Sequence, residues 1–171
     1  MFTRILVPTD FSEPSDAALD YARALARTFG ASLRVLHVVE SSLPAGPLGS
    51  EIYVADAAGL YTAHASESES KLAELVTPAD RAGFNATTDV IPGSGAETIV
   101  SYAQAHGVDL IVMGTHGRTG LPHLFMGSVA EHVVRTAHCP VLTVRRAPAR
   151  QAAMVSAATG TSRFGIGPSP A

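Results

Sequence analysis

The chain has 171 residues, 46% apolar and 16% charged, with a net charge of −3, which allows one domain with a proper core and excludes an intrinsically disordered chain. No basic run offers the phosphate-neutralising surface that a nucleic-acid partner needs, and no stretch reaches the ~20 apolar residues of a membrane helix. The first strand is the apolar run 5–7, which stops at Pro8 because proline cannot donate to a ladder. Thr9-Asp10-Phe11-Ser12 then lead into a helix. Ser12, Glu13 and Pro14 are its start signals, Gly30 closes it, and Ala18, Leu25 and Phe29 with Tyr21 or Ala22 form its apolar stripe.

Strand two, 33–39, is apolar apart from Arg34 and His37, as suits a strand covered on both faces. Residues 40–56 are expected as a long loop, a lid or ordered wall, and helix two over 57–76 with Leu60, Ala63 or His64, Leu72 and Leu75 inward. Pro78 should end or kink that helix. A more polar strand three spans 87–91 and reads as an edge. Ser94-Gly95-Ala96-Glu97 is expected as a capping box opening helix three, which Gly107 stops. Strand four spans 109–113, helix four 128–136 and strand five 141–144. The alternation βαβαβαβαβ implies an α/β fold with a parallel sheet, right-handed crossovers and helices on both faces.

Between strand four and helix four lies a loop with four glycines, Gly114, Gly117, Gly120 and Gly127. Glycine lets a guest approach bare backbone, and the loop delivers the chain to a helix N-terminus, where unpaired N–H groups favour an anion such as phosphate. The bland alternative is a long turn. Ser128-Val129-Ala130-Glu131 also reads as a capping box, compatible with phosphate on the backbone N–H groups. Arg118 either faces phosphate or is a solvated loop arginine. His116 and His123 lie in the same loop, and no H-E-x-x-H pattern among the seven histidines suggests metal chelation. The lone Cys139 excludes an internal disulfide and fits a small buried residue ahead of the last strand. With no signal-peptide pattern at the start, the expected compartment is the cytoplasm.

The spacing Gly114-x2-Gly117-x9-Gly127-Ser128, together with Val7-Pro8-Thr9-Asp10, resembles the universal stress protein family in its ATP-binding branch. The resemblance covers roughly residues 1–145. It implies a Rossmann-like open five-stranded parallel sheet of order 3-2-1-4-5, with residues 1–146 as the nucleotide-binding domain; 147–171 lie outside the resemblance, and their Ala/Gly/Ser/Pro-rich composition, which cannot form a core, is expected to give a mobile tail. In that order the motifs leaving strands one and four meet at the topological switch point. It further implies ATP, with or without Mg²⁺, held by Pro8, Thr9, Asp10, Val38, Met113, Gly114, His116, Gly117, Arg118, Gly127, Ser128 and Val129. In this arrangement the backbone of Val38 meets the adenine edge. Asp10 either touches ribose or the outer shell of a metal ion, or caps the first helix.

The leading function is a nucleotide-dependent regulatory or stress-response module. The alternative is a slow ATPase or a nucleotidyl- or phosphoryl-transfer enzyme on the same scaffold, although the P-loop pattern G-x-x-x-x-G-K-[ST] is absent. A ligand-free structural or chaperone-like protein is disfavoured by the intact glycine spacing. The resemblance implies a homodimer through strand five, an apolar edge without lysine or internal proline, and a proline at Leu142 is expected to weaken it.

Overall fold

The computed structural model describes the backbone of residues 1–40, 51–115 and 126–145, and the side chains of all of these except 51–61. In chain order it forms β1 (Arg4–Pro8), α1 (Glu13–Phe29), β2 (Ser32–Glu40), α2 (Glu51–Leu75), α3 (Pro78–Phe84), β3 (Thr87–Gly93), α4 (Gly95–Ala105), β4 (Leu110–Gly114), α5 (Ser128–Thr136) and β5 (Val141–Val144). The strands form one parallel sheet in the order β3-β2-β1-β4-β5. The expected fold class and strand order are therefore the observed ones.

Strand alternation splits the core in two. Ile5, Val7, Leu33, Val35, Leu110 and Val112 face α1 and the end of α2, where Ala18, Leu19, Ala22, Ala26, Leu72 and Val76 meet them. Leu6, Leu36, Ile111 and Met113 face α4 and α5, against Ala96, Ile99, Tyr102, Ala103, Ala130 and Val133. A strand buried on both faces can spare no polar position, which is why these strands are continuous apolar runs.

Of the two candidates for the α1 stripe, Ala22 is buried and Tyr21 is 57% exposed. Gly30 closes α1 in the left-handed conformation, at φ 66°. Helix α2 begins at Glu51, earlier than position 57, because 51–56 contains neither proline nor glycine to stop it. Ala63 and His64 are exposed rather than inward, while Leu72 is buried. The break before Pro78 is present, but the chain resumes as α3. Thr77 is its N-cap, and Thr77 and Asp80 form a reciprocal capping box with Pro78 in the first turn. The two capping boxes expected elsewhere are not formed. Ser94 is an N-cap without a side-chain bond, its carbonyl accepting from the Thr98 N–H. At α5 the N-cap is Gly127, one residue early, so Ser128 is already helical and Glu131 pairs with Arg135 at 2.7 Å. Asp109 precedes β4 and pins β1, accepting from Thr3 N, Thr3 Oγ1 and Arg4 N at 2.8, 2.6 and 3.1 Å. Residues 146–171, which include the expected tail, lie outside the described residues.

Gly114 ends β4 against the start of α1. A Cβ placed there would sit 2.9 Å from both the carbonyl carbon and Cβ of Pro14. Gly114→Ala is expected to push α1 away and cost about 1–3 kcal/mol, read as a lower urea midpoint. A midpoint equal to wild type would show that the contact yields freely.

Arg23 on α1 clamps Asp80 on α3. Nε and Nη2 donate to the two carboxylate oxygens at 3.0 and 2.7 Å, and Thr77 N and Oγ1 donate to Oδ2 at 3.0 and 2.9 Å. The Arg23 guanidinium first, and Thr77 second, hold the Asp80 carboxyl below its ordinary value near 3.8. A carboxylate with a depressed folded pKa stabilises the protein above the unfolded value and loses that contribution as pH falls through the folded value. Asp80→Asn is therefore expected to cost about 2 kcal/mol near neutral pH, with the gap to wild type closing below about pH 4. Urea unfolding at the two pH values measures it, and a gap independent of pH would contradict the ion-pair account.

Candidate functional site

A cleft of about 620 Å³ opens beyond the carboxyl ends of β1, β2 and β4, at the point where the strand order reverses. Pro8, Thr9, Asp10, Val38, Met113, Gly114, Gly127, Ser128 and Val129, all read from the sequence as site residues, line it. His116, Gly117 and Arg118 lie outside the described residues.

The wall that follows β1 is a braced turn. Thr9 is buried, and its hydroxyl accepts from the Phe11 N–H at 3.0 Å and meets Ser15 Oγ at 3.1 Å. Asp10 Oδ1 accepts from Ser12 Oγ at 2.5 Å and from Ser12 N at 3.2 Å. Asp10 is thus not the cap of α1, because Ser12 occupies that position. Phe11 sits at φ 62°, a left-handed conformation that costs a non-glycine residue of order 1–3 kcal/mol and persists only where its surroundings impose it. Here the surroundings are His37, whose ring lies 4.5 Å from that of Phe11, and Lys71, whose Nζ lies 5.6 Å above it. His37 Nδ1 is 2.8 Å from the Thr9 carbonyl, so that nitrogen carries the proton and donates.

The opposite wall is the glycine loop's two ends. Thr115 N–H donates to Val144 O at 3.0 Å, extending the β4–β5 ladder, and Gly127 N–H donates to Thr115 O at 2.7 Å, closing the loop on itself. The first intrahelical bond of α5 runs from Glu131 N–H to Gly127 O at 2.9 Å. The N–H groups of Ser128, Val129 and Ala130 therefore have no helical partner, and no side chain caps them among the described residues. Ser128, Val129 and Ala130 all line the cleft.

Main-chain groups also face the cleft from β2. Pairing of β1 with β2 ends at Pro8 opposite Leu36, with Thr9 N–H donating to Leu36 O at 2.8 Å. Strand β2 continues beside β3 to Glu40. Main-chain groups two residues apart point the same way along a strand, so those of Val38 point where β1 has already ended.

The sequence reading did not find the third wall, supplied by His64, Glu67, Ser68 and Lys71 on one face of α2, or the contributions of Phe11, His37 and Glu40. Lys71 pairs with Glu67 at 2.5 Å. A histidine inside an apolar strand and the chain's only lysine were the available signals. Cys139, ahead of β5, is half-buried, and burial pushes its thiol pKa up, which suits a packing role.

Residues 1–145 match the Universal stress protein family. Universal stress protein MJ0531 of Methanocaldococcus jannaschii is 35% identical over 150 residues, covering 85% of this chain and 84% of that one. The solved structure of MJ0577 from the same organism superposes with a TM-score of 0.74 at 31% identity, covering 87% of this chain and 99% of that one. Two further structures share the fold at 22% identity: a universal stress protein in complex with cAMP, covering 85% of this chain and 98% of that one with a TM-score of 0.55, and one from Archaeoglobus fulgidus in complex with dAMP, covering 84% and 98% with a TM-score of 0.57. The motifs at Pro8–Asp10 and Gly114–Ser128, the sheet order and these likenesses agree, and the chain belongs to the universal stress protein family.

Proposed function

We propose that the cleft binds an adenine nucleotide, ATP with Mg²⁺ foremost, and that the protein is a nucleotide-dependent regulatory module. The observation that carries this reading is the convergence on one cleft of two sets of main-chain groups with no partner among the described residues: the N-terminus of α5 and the edge of β2 at Val38. Three N–H groups at a helix N-terminus suit phosphate oxygens. A donor and acceptor on the same face of Val38 suit N1 and the 6-amino group of adenine. Asp10 stands on the β1 wall, where its carboxylate serves the ribose hydroxyls, and 620 Å³ lies within the usual range of small-ligand sites. The glycine spacing resembles the ATP-binding branch, and the cAMP and dAMP complexes support the capacity of the fold. A binding rather than catalytic role is favoured by the absence of the P-loop pattern G-x-x-x-x-G-K-[ST] from the sequence.

The direct test is to denature the purified protein and identify released nucleotide by chromatography and mass, with calorimetric titration of ATP and Mg²⁺ alongside. No nucleotide and no binding heat would remove the proposal. Gly127 gives a sharper variant, because its φ of −73° and ψ of 155° are extended values that any residue adopts. A side chain there therefore brings no backbone strain. Gly127→Val should keep the fold while crowding the phosphate side, weakening ATP by roughly a hundredfold. Undiminished affinity in a folded variant would contradict the loop's role.

We also propose a homodimer through the outer edge of β5, whose Leu142 is 39% exposed. Strand parity revises the informative substitution. Ile111 N–H donates to Pro140 O and Thr115 N–H to Val144 O, so Leu142, in phase with both, turns its main chain toward β4. A proline there would damage the intrachain ladder. Thr143→Pro removes an outward donor instead and should leave the monomer folded. Light scattering at tens of micromolar is expected to show a dimer for wild type and for a chain lacking 147–171, and a monomer for Thr143→Pro. A dimeric, folded Thr143→Pro protein would move the interface elsewhere.

A further inference from the structure

We infer that Glu40 strengthens the selection of adenine by accepting a hydrogen bond from its 6-amino group. The inference rests on the adenine-nucleotide reading of the cleft and concerns a residue that reading does not use. Glu40 follows Val38 by two positions at the carboxyl end of β2, so the two share a sheet face and a main-chain direction. Both line the cleft. Along an extended strand the carbonyl of a residue lies beyond its N–H toward the C-terminus. A base that takes N1–H–N and 6-amino–O=C bonds from Val38 therefore turns its amino group toward the end of β2. One amino hydrogen meets the Val38 carbonyl, and the second points onward, toward the position of Glu40.

The exposed Glu40 side chain reaches along the cleft to the start of α4. A Cβ built on Gly95, the first residue of α4, would lie 3.9 Å from Glu40 Oε1 and 3.4 Å from Val129 Cγ2. Gly95 itself lines the cleft, so the carboxylate and the first turn of α5 flank one glycine. Glutamate is acceptor-only when ionised, which matches an exocyclic amine and opposes the 6-oxo group of guanine or hypoxanthine. The competing role is structural: a carboxylate near the N-terminus of α4 also favours that helix through its dipole.

A double-mutant cycle between protein and ligand separates the two roles. Dissociation constants are measured for ATP and for purine riboside 5′-triphosphate, which lacks only the 6-amino group, against wild type, Glu40→Ala and Glu40→Gln. Thermal midpoints are recorded for each protein. Glu40→Ala is expected to weaken ATP about tenfold, as loss of a hydrogen bond to a charged group does, while the analogue changes by less than about twofold in the same pair. Glu40→Gln, which keeps an acceptor oxygen, should retain part of the preference. Equal effects on the two ligands, or an unchanged preference with only a lowered midpoint, would overturn the inference and assign Glu40 to α4. Failure of wild type to bind either ligand would overturn the nucleotide reading, and this inference with it, whatever the midpoints show.

Discussion

The contact between Gly114 and Pro14 is the constraint on which the rest of the arrangement depends. It joins the last residue of β4 to the first turn of α1 at a separation that admits no side chain. Because β1 and β4 are neighbours in the sheet, the contact fixes where the turn out of β1 must run, and so where Thr9, Asp10 and Phe11 stand. From Gly114 the chain reaches Thr115, whose main chain ties β5 on one side and the returning Gly127 on the other. The mouth of the cleft is the space left between a turn seated as close to β4 as a bare glycine allows and a helix start that is tethered by one carbonyl.

Within that frame the β1 turn holds a conformation that its own sequence disfavours. Phe11 in a left-handed conformation is a local cost, and the compensation comes from elements distant in sequence: His37 from β2 and Lys71 from α2. The turn's hydroxyls and carboxylate pair with one another, so Thr9, Asp10, Ser12 and Ser15 bond together around the strained residue. A turn braced in this way presents Asp10 in one position before any ligand arrives, which lowers the ordering cost of binding.

Punctuation made much of this legible in the sequence. Glycine, proline and apolar runs bounded α5 and β5 at their observed residues, and the two motifs at the switch point were placed together by the strand order that the resemblance implied. The failures share one cause. A letter shows what a residue permits and not which neighbour uses it. Gly114 was read as bare for a phosphate; it lines the cleft, and the letter did not show that Pro14 also uses its bareness. Gly127 was read as opening the backbone to a guest, and its extended conformation is one that any residue could adopt. The S-x-x-E pattern at Ser128 located a helix start but misplaced its cap by one residue, because a preceding glycine serves as an N-cap nearly as well. The α2 wall was missed because it joins the cleft only through tertiary packing.

Recognition in this cleft is assigned largely to main-chain groups, and the alternation of a strand decides which of them are available. Even-numbered residues of β2 turn toward β1, so the early end of β1 releases Val38 and Glu40 while Val39 stays bonded to β3. The same rule on β5 turns Leu142 inward and leaves Val141 and Thr143 outward. Neither outcome depends on side-chain identity, and each follows from where a neighbouring strand stops or is missing. Main-chain groups of this kind exist on every strand and carry no preference that a residue type records. The donor and acceptor of Val38 match N1 and the 6-amino group of adenine, and on the proposed reading Glu40 adds to them a side-chain acceptor at the strand end that the glycines marking the site cannot supply.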